Sequence, residues 1–182
     1  MSDYIQYRGK KYRKVRLHIR TDADFNDILH ELNEIELYGA PISSEQIIYA
    51  ILELINNSLR AQKERNISKK ILTEFSLSNE NSLFIKIQDW GGGFDVSKLP
   101  YDLSSSTDEV DTNSETFQNY REEHGYMRFG IGLYVVKKTF DSFHLYFINE
   151  DLQPVRWESG QAEGTCIEMK LHTDSVRGED NE

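Results

Sequence analysis

Between residues 43 and 88 the spacing of apolar side chains changes abruptly, and this change constrains the fold more than any other feature of the sequence. From Ser43 to about Glu64, apolar residues recur every three or four positions, which predicts a long amphipathic helix. Residues 71–77 and 83–88 then form two alternating runs joined by a polar connector, which predicts a β-hairpin. A helix with one apolar stripe must bury it against another element, so this region predicts a helix packed on a sheet.

Further elements of both kinds flank this region. Alternation at residues 15–19 predicts a strand, and helical spacing from a cap at Thr21 or Asp22 predicts a helix reaching Ile35. Later segments with the same two kinds of pattern are a helix over 133–140 and strands at 143–148, 155–158 and 165–171. Strands outnumber helices and do not alternate strictly with them. The sequence therefore predicts an α/β (α+β) fold, a two-layer sandwich with helices on one face of a mixed sheet.

The chain has 182 residues, which fits a single domain with its own core. Its 31 acidic and 21 basic residues give a net charge of −10, which disfavours nonspecific binding to nucleic acid. The one cysteine, Cys166, cannot form an intramolecular disulfide, which is typical of a reducing compartment. No apolar stretch approaches the roughly 20 residues that cross a bilayer. We therefore expect a cytoplasmic protein that binds neither membrane nor nucleic acid.

The charge is unevenly distributed along the chain. The first 20 residues carry seven basic side chains and one acidic side chain, whereas residues 94–125 carry eight acidic and two basic ones. A polar stretch of this length inside a compact domain is typical of a functional lid or of disorder. We predict one domain over residues 1–172 with a lid at about 94–129, followed by a polar tail over 173–182.

Three polar side chains follow one stripe of the long helix. Glu53 and Asn57 are four residues apart and Arg60 continues the stripe, so all three share one face. A carboxylate one turn from a carboxamide can hold a hard cation or orient a hydroxyl for attack. Taken alone, the same pattern also describes a solvated helix face.

Three other segments have residue types that suit a nucleotide, although each has an ordinary structural interpretation. Asp89 follows an apolar strand and precedes Gly91 and Gly93, so it could accept a hydrogen bond from an exocyclic amine, or simply sit in a turn. Gly130 and Gly132 open a helix and could offer N–H groups to a phosphate. Thr165 follows a glycine at the start of a strand, which is also a common turn-to-strand junction.

The order and spacing of the four segments carry more weight than any one of them. A Glu-x-x-x-Asn helix, Asp-x-Gly-x-Gly after a strand, a long loop, Gly-x-Gly before a helix and Gly-Thr before a strand together resemble the GHKL family of ATP-binding domains. The resemblance covers about residues 15–171. It implies ATP and Mg²⁺ as ligands and the two-layer sandwich that the order of elements also predicts.

The resemblance implies a role for each matching residue. Glu53 would be the general base, Asn57 would hold Mg²⁺ on the ATP phosphates, and Asp89 would bind the adenine amine. The remaining positions of the implied nucleotide site are Arg60, Gly91, Gly93, Arg128, Gly130, Gly132, Leu133 and Thr165. Arg128 stands where many relatives have a further glycine, and its guanidinium could contact phosphate instead.

The branch of the family is a separate question. The chain is short, and no helical hairpin carrying a phosphoacceptor His precedes the ATP-binding motifs; His18 and His30 are expected to be surface or packing residues. It looks most like the anti-sigma-factor serine kinases, which implies a protein partner such as a sigma factor, an antagonist or another regulatory protein. Two alternative functions remain, the catalytic module of a two-component histidine kinase and a noncatalytic nucleotide-binding module. The oligomeric state is open, with a homodimer among the alternatives.

Overall fold

The structure is a computed structural model that describes residues 4–79, 81–103, 110–111, 113–123 and 131–173. The strands in this part of the chain are β1 (Tyr4–Tyr7), β2 (Lys10–Tyr12), β3 (Lys14–Ile19), β4 (Ile35–Tyr38), β5 (Ile71–Leu77), β6 (Ser82–Gln88), β7 (Ser142–Ile148), β8 (Pro154–Val155) and β9 (Gly164–His172). The α-helices are α1 (Phe25–Asn33), α2 (Ser44–Glu64), α3 (Glu115–Glu123) and α4 (Ile131–Thr139). In this part of the chain no helix is both long enough and apolar enough to span a membrane.

Six strands form the main sheet, in the order β3-β5-β6-β9-β7-β8. Helices and strands are both present, so the α/β fold class is confirmed. Every pairing in the main sheet is antiparallel, so the expectation of a mixed sheet is wrong. The order of elements along the chain does not determine strand direction: β5 turns directly into β6, and β3 is antiparallel to β5 although α1, β4 and α2 lie between them.

The helices cover one face of the main sheet. In β3, Val15, Leu17 and Ile19 are buried while the residues between them are exposed. Their partners in β5 include Phe75 and Ile71, which are fully buried. Period-two burial of this kind means that one face of the sheet forms the core and the other faces water. The structure thus has the predicted two layers.

Helix α2 is the centre of the helical layer. It packs on β5, and both α1 and α4 pack against it. Ser43 is its N-cap and forms a capping box with Gln46, and its last residue is Glu64, as the sequence predicted. Its buried side includes Ile51 and Ile55 but also the polar residues Ser58 and Gln62. This helix therefore joins the core to the polar stripe predicted at Glu53, Asn57 and Arg60.

A second sheet, in the order β2-β1-β4, was not predicted from the sequence. The prediction placed Ile35 at the end of a helix, but α1 ends at Asn33 and Ile35 begins β4. Two four-residue strands and one three-residue strand give too few alternations to be distinguished from loop or helix by periodicity alone. Asp24 rather than Thr21 or Asp22 is the N-cap of α1.

The basic residues near the N-terminus are mostly held in local contacts. The Arg8 guanidinium lies 2.7 Å from the Glu31 carboxylate on α1. Arg13 donates to the main-chain oxygen of Ser78, and Lys14 and Arg16 both contact Glu74 on β5. Part of the positive charge of this segment is therefore compensated by carboxylates within the fold.

The predicted lid contains more structure than a loop. It begins with a single 3₁₀ turn at Val96–Lys98 and includes α3, while residues 104–109, 112 and 124–130 lie outside the described residues. The buried rings of Tyr101 and Phe117 stack with centroids 6.1 Å apart, and the Lys137 ammonium donates to the Leu103 carbonyl oxygen. The acidic side chains described as exposed here are Asp102, Asp111, Glu115 and Glu122. These carboxylates are exposed to solvent, an arrangement that would suit a polyphosphate nearby.

Candidate nucleotide site

A cavity of about 410 Å³ lies between α2, the ends of β6 and β9, the start of the lid and the start of α4. This volume is within the range of pockets that bind small ligands. The sequence-predicted residues that line it are Asn57, Arg60, Asp89, Gly91, Gly93, Leu133 and Thr165. Thus the structure brings together side chains that are separated by more than 100 positions in the chain.

Asp89 lies at the buried end of this cavity, directly after β6. Its two carboxylate oxygens accept three hydrogen bonds: from the Ser58 hydroxyl at 2.7 Å, from the Gly91 N–H at 2.8 Å and from the Thr165 N–H at 3.3 Å. The Asp89 N–H in turn donates to the Thr165 carbonyl oxygen at 3.0 Å. The carboxylate is therefore fixed in place by β9, by the turn that follows β6 and by α2 before any ligand arrives.

Burial raises the pKa of the Asp89 carboxyl above its ordinary value. The hydrogen bonds from Gly91, Ser58 and Thr165 act in the opposite direction but do not cancel the effect of burial. A ligand amine would donate one more hydrogen bond to the charged form. Such a ligand would therefore lower the pKa of Asp89, and its binding would be coupled to proton release.

Glycines allow the strands and α2 to approach each other closely around Asp89. A methyl group placed on Gly91 would lie 2.5 Å from Cβ of Ala61, and one placed on Gly164 would lie 2.0 Å from the Asp89 carbonyl oxygen. Gly93 has a φ of +71°, which favours glycine, and a methyl group there would meet the ring of Phe147. The glycines are thus required by the close packing of this end of the cavity.

The polar stripe of α2 faces the start of α4, where Asn57, Arg60 and Leu133 line the cavity while Glu53 and Gly132 lie beside them outside its lining. A methyl group placed on Gly132 would lie 3.2 Å from Glu53 Oε2 and 3.6 Å from Asn57 Nδ2. Glu53, Asn57 and Arg60 are all half-buried. The first turn of a helix has N–H groups without intrahelical partners and a positive dipole end. A carboxylate, a carboxamide and a helix N-terminus therefore converge at this point.

The Asn57 side chain already has a partner. The Arg60 guanidinium donates to Asn57 Oδ1 at 2.7 Å. This contact uses the oxygen that the sequence assigned to a metal ion. A cation at Asn57 Oδ1 would have to displace the guanidinium from this oxygen.

Mg²⁺ suits the donor set present here. The described residues contain no group of three or more His, Cys, Asp or Glu side chains that could hold a metal ion. Mg²⁺ is commonly bound through one or two protein oxygens together with the phosphates of the substrate and water. Asn57 Oδ1 and the Glu53 carboxylate are side-chain oxygens of this kind on one helix face, so the residues fit a metal ion that arrives with a nucleotide.

Two of the predicted positions, Arg128 and Gly130, lie outside the described residues. The proposed contact of Arg128 with phosphate therefore stays a prediction. Leu133, which follows Gly132 in α4, is buried and lines the cavity.

Residues 42–175 match the protein family described as histidine kinase-, DNA gyrase B- and HSP90-like ATPase. This match covers well over half of the 182 residues. The chain belongs to this ATPase family. A search among curated proteins gave no match. Membership confirms the family that the four motifs resembled and identifies the chain as an ATP-binding module of that family. The ATPase match begins just before α2, so β1 to β4 and α1 lie outside it.

Several residues in and around the site of this ATPase were not predicted from the sequence. Ser58 and Gln62 are buried on the core side of α2, and Gln62 accepts a hydrogen bond from the Trp90 N–H at 2.9 Å while donating to the Lys69 carbonyl oxygen. Both occupy positions at which the helical period calls for an apolar side chain, and this was the signal that could have revealed them. Trp157, by contrast, lies in the segment predicted as a strand at 155–158, but β8 ends at Val155 and Trp157 begins a 3₁₀ turn and lines the cavity.

Proposed function

We propose that this chain binds Mg-ATP and transfers its γ-phosphoryl group to a Ser or Thr hydroxyl of a protein partner. The observation that carries the proposal is the approach of the Glu53 carboxylate to Gly132 at the start of α4, next to Asn57 and Leu133, which line the same cavity as Asp89. An adenine amine bound at Asp89 would direct the phosphates along the cavity toward Asn57 and the N-terminus of α4. The distal phosphate would then meet Glu53.

In this mechanism the chain's own residues have separate tasks. Asp89 accepts the hydrogen bond of the adenine amine, and the N-terminus of α4 donates to phosphate oxygens. Asn57 would hold Mg²⁺, which supplies positive charge to the phosphates when it is bound. The hydroxyl oxygen of the partner bonds to the γ-phosphorus while the bond from that phosphorus to the ADP oxygen breaks, and Glu53 takes the hydroxyl proton.

The partner class follows from the same resemblance that suggested the branch. We propose a regulatory protein such as a sigma factor or its antagonist as the partner, and the cytoplasm as the place where they meet. Support comes from the lone Cys166 and from described residues 4–41, which form strands and the short helix α1 rather than a helical hairpin. His18 and His30 are both exposed, as expected of surface residues.

One observation favours a second candidate, a module that binds nucleotide without transferring phosphate. Asn57 Oδ1 is engaged by Arg60, so the geometry for binding a metal ion at Asn57 is not preformed. In that case Mg-ATP would act as a structural ligand that changes which partner the chain binds.

The test is a phosphoryl-transfer assay with labelled ATP and small proteins encoded beside the gene. We expect alkali-labile, acid-stable phosphate on a partner with the wild type and at least a hundredfold lower rate with Glu53→Gln. Glu45→Gln in the first turn of the same helix is the matched control and should keep its rate. Absence of transfer to every partner, despite Mg-ATP binding, would select the binding module. Acid-labile phosphate would instead indicate a histidine acceptor.

A further inference from the structure

Trp157 lies in the connection between β7 and β9, where nothing in the sequence motifs assigns a function. It begins a single 3₁₀ turn, Trp157–Ser159, which ends at Gly160 with a φ of 69°. Its ring is half-buried and lines the same cavity as Asp89 and Thr165. An indole with one open face on a cavity is available to a ligand.

A continuous set of aromatic rings connects Trp157 with the base end of the cavity. The Trp157 and Phe147 ring centroids are 5.6 Å apart, and Phe147 is the cross-strand partner of Thr165. The Phe94 ring meets Phe147 edge to face, with centroids 5.8 Å apart. Phe147 is buried, so Phe94 and Trp157 are the rings of this set that line the cavity. They form an apolar aromatic wall close to the buried carboxylate.

The carboxylate and the wall would recognise different properties of a nucleobase. Asp89 accepts a hydrogen bond from an exocyclic amine, which both adenine and cytosine have and which guanine lacks at the corresponding position. An aromatic wall contacts the face of the base, and the contact grows with the area of the ring system. Asp89 by itself would therefore not separate adenine from cytosine.

We propose that Trp157 is a specificity-determining residue that packs against the face of the nucleobase and selects the bicyclic adenine over the smaller cytosine. Asp89 in turn selects adenine over guanine. The proposal rests on the proposed nucleotide site, but it does not require phosphoryl transfer.

The test measures the affinity of the full chain for Mg-ADP, Mg-CDP and Mg-GDP by calorimetry. Base–aromatic stacking is worth about 1–3 kcal/mol per base, so Trp157→Ala should weaken ADP binding roughly tenfold. The variant should affect CDP less, so that the preference for ADP over CDP falls while the preference over GDP is kept. Trp157→Phe should retain most of the preference. Leu152→Ala, an exposed residue in the same connection, should change neither ratio.

Fluorescence gives a second readout that a purely structural role would not change. With Trp90→Phe, Trp157 is the one remaining tryptophan of the two in the chain, and we expect ADP to change its emission. Thermal unfolding of each variant without nucleotide shows whether the fold is intact. If Trp157→Ala is unstable, the Phe variant and the fluorescence titration decide the question.

The outcomes separate this inference from the proposed kinase function. Unchanged ADP and CDP affinities in Trp157→Ala, together with unchanged Trp157 emission, would overturn the role of Trp157 and leave the kinase proposal standing. The expected base selectivity without any phosphoryl transfer would support Trp157 and refute the kinase. A wild type that binds no nucleotide would refute both.

Discussion

The two ends of the cavity are built differently. At the base end, Asp89 is buried and accepts three hydrogen bonds from the protein, and close glycine contacts fix the strands around it. At the phosphate end, Glu53 and Asn57 are half-buried, and the oxygen of Asn57 is engaged by Arg60. In the proposed complex, the end with Asp89 needs no rearrangement, whereas Arg60 must leave Asn57 Oδ1 before a metal ion binds there. Binding and chemistry should accordingly respond to different kinds of mutation.

The largest effect is expected from closing the gap between β6 and β9. In Gly164→Ala the new methyl group would lie 2.0 Å from the Asp89 carbonyl oxygen, and the contact is with backbone that cannot rotate away. We expect a loss of roughly 3 kcal/mol of unfolding free energy and loss of ADP binding. Chemical denaturation and calorimetry measure the two effects. Gly160→Ala, which has a φ of 69° but open space around it, should cost only about 1 kcal/mol.

Asp89→Asn should have opposite effects on binding and on stability. Because the pKa of Asp89 is raised in the folded state, the wild type loses unfolding free energy as the pH rises through that raised pKa. The variant lacks this loss, so its stability relative to the wild type should increase from about pH 4 upward. Its ADP affinity should be about tenfold lower at neutral pH, since a hydrogen bond to a charged group is lost.

The pH dependence of ADP binding gives the outcome that would contradict this prediction. The phosphates of ADP titrate equally with both proteins, so the difference between wild type and Asp89→Asn isolates the carboxylate. That difference should grow with rising pH over the same range. Equal pH profiles for the two proteins would mean that Asp89 does not bind the base.

Ser58→Ala tests whether the hydrogen bonds to Asp89 hold the base end in place. The Ser58 hydroxyl is buried and donates to Asp89 Oδ2, so its removal should cost about 1–2 kcal/mol of unfolding free energy at neutral pH and raise the pKa of Asp89 further. Thr73→Val is the matched control. Thr73 Oγ1 is buried without a hydrogen-bond partner among the described residues, so this change should be neutral or stabilising. Equal losses of unfolding free energy in Ser58→Ala and Thr73→Val would show that packing, not hydrogen bonding, accounts for the effect.

The smallest effect on stability is expected at the phosphate end. Asn57→Ala should change the unfolding free energy by no more than about 0.5 kcal/mol, because the side chain is half-buried. It should nevertheless remove most of the difference between the ADP affinity measured with Mg²⁺ and the ADP affinity measured with EDTA. The neighbouring Asn56→Ala, on the side of α2 that faces α1, should keep that difference. If Asn56→Ala removed it instead, the assignment of the metal ligand would move by one residue.

Long and regular patterns allowed the main elements to be predicted from the sequence. The ends of α2 and its capping box follow from Ser43, Gln46 and the apolar stripe, and the β5–β6 hairpin follows from two alternating runs. By contrast, β1, β2 and β4 were missed, and so was α3 within the lid. These elements are short, and contacts distant in sequence stabilise them, such as the stacking of Phe117 on Tyr101.

The sequence by itself determined the family, the two-layer fold class and the order of the site residues, because each depends on spacing along the chain. Only the tertiary structure decided which groups meet Asp89, since Ser58 and Thr165 reach it from 31 and 76 positions away. It also decided that the main sheet is wholly antiparallel and that Trp157 enters the cavity. The physical reason is that spacing fixes which side of an element a residue lies on, whereas strand pairing and helix packing fix what lies opposite it.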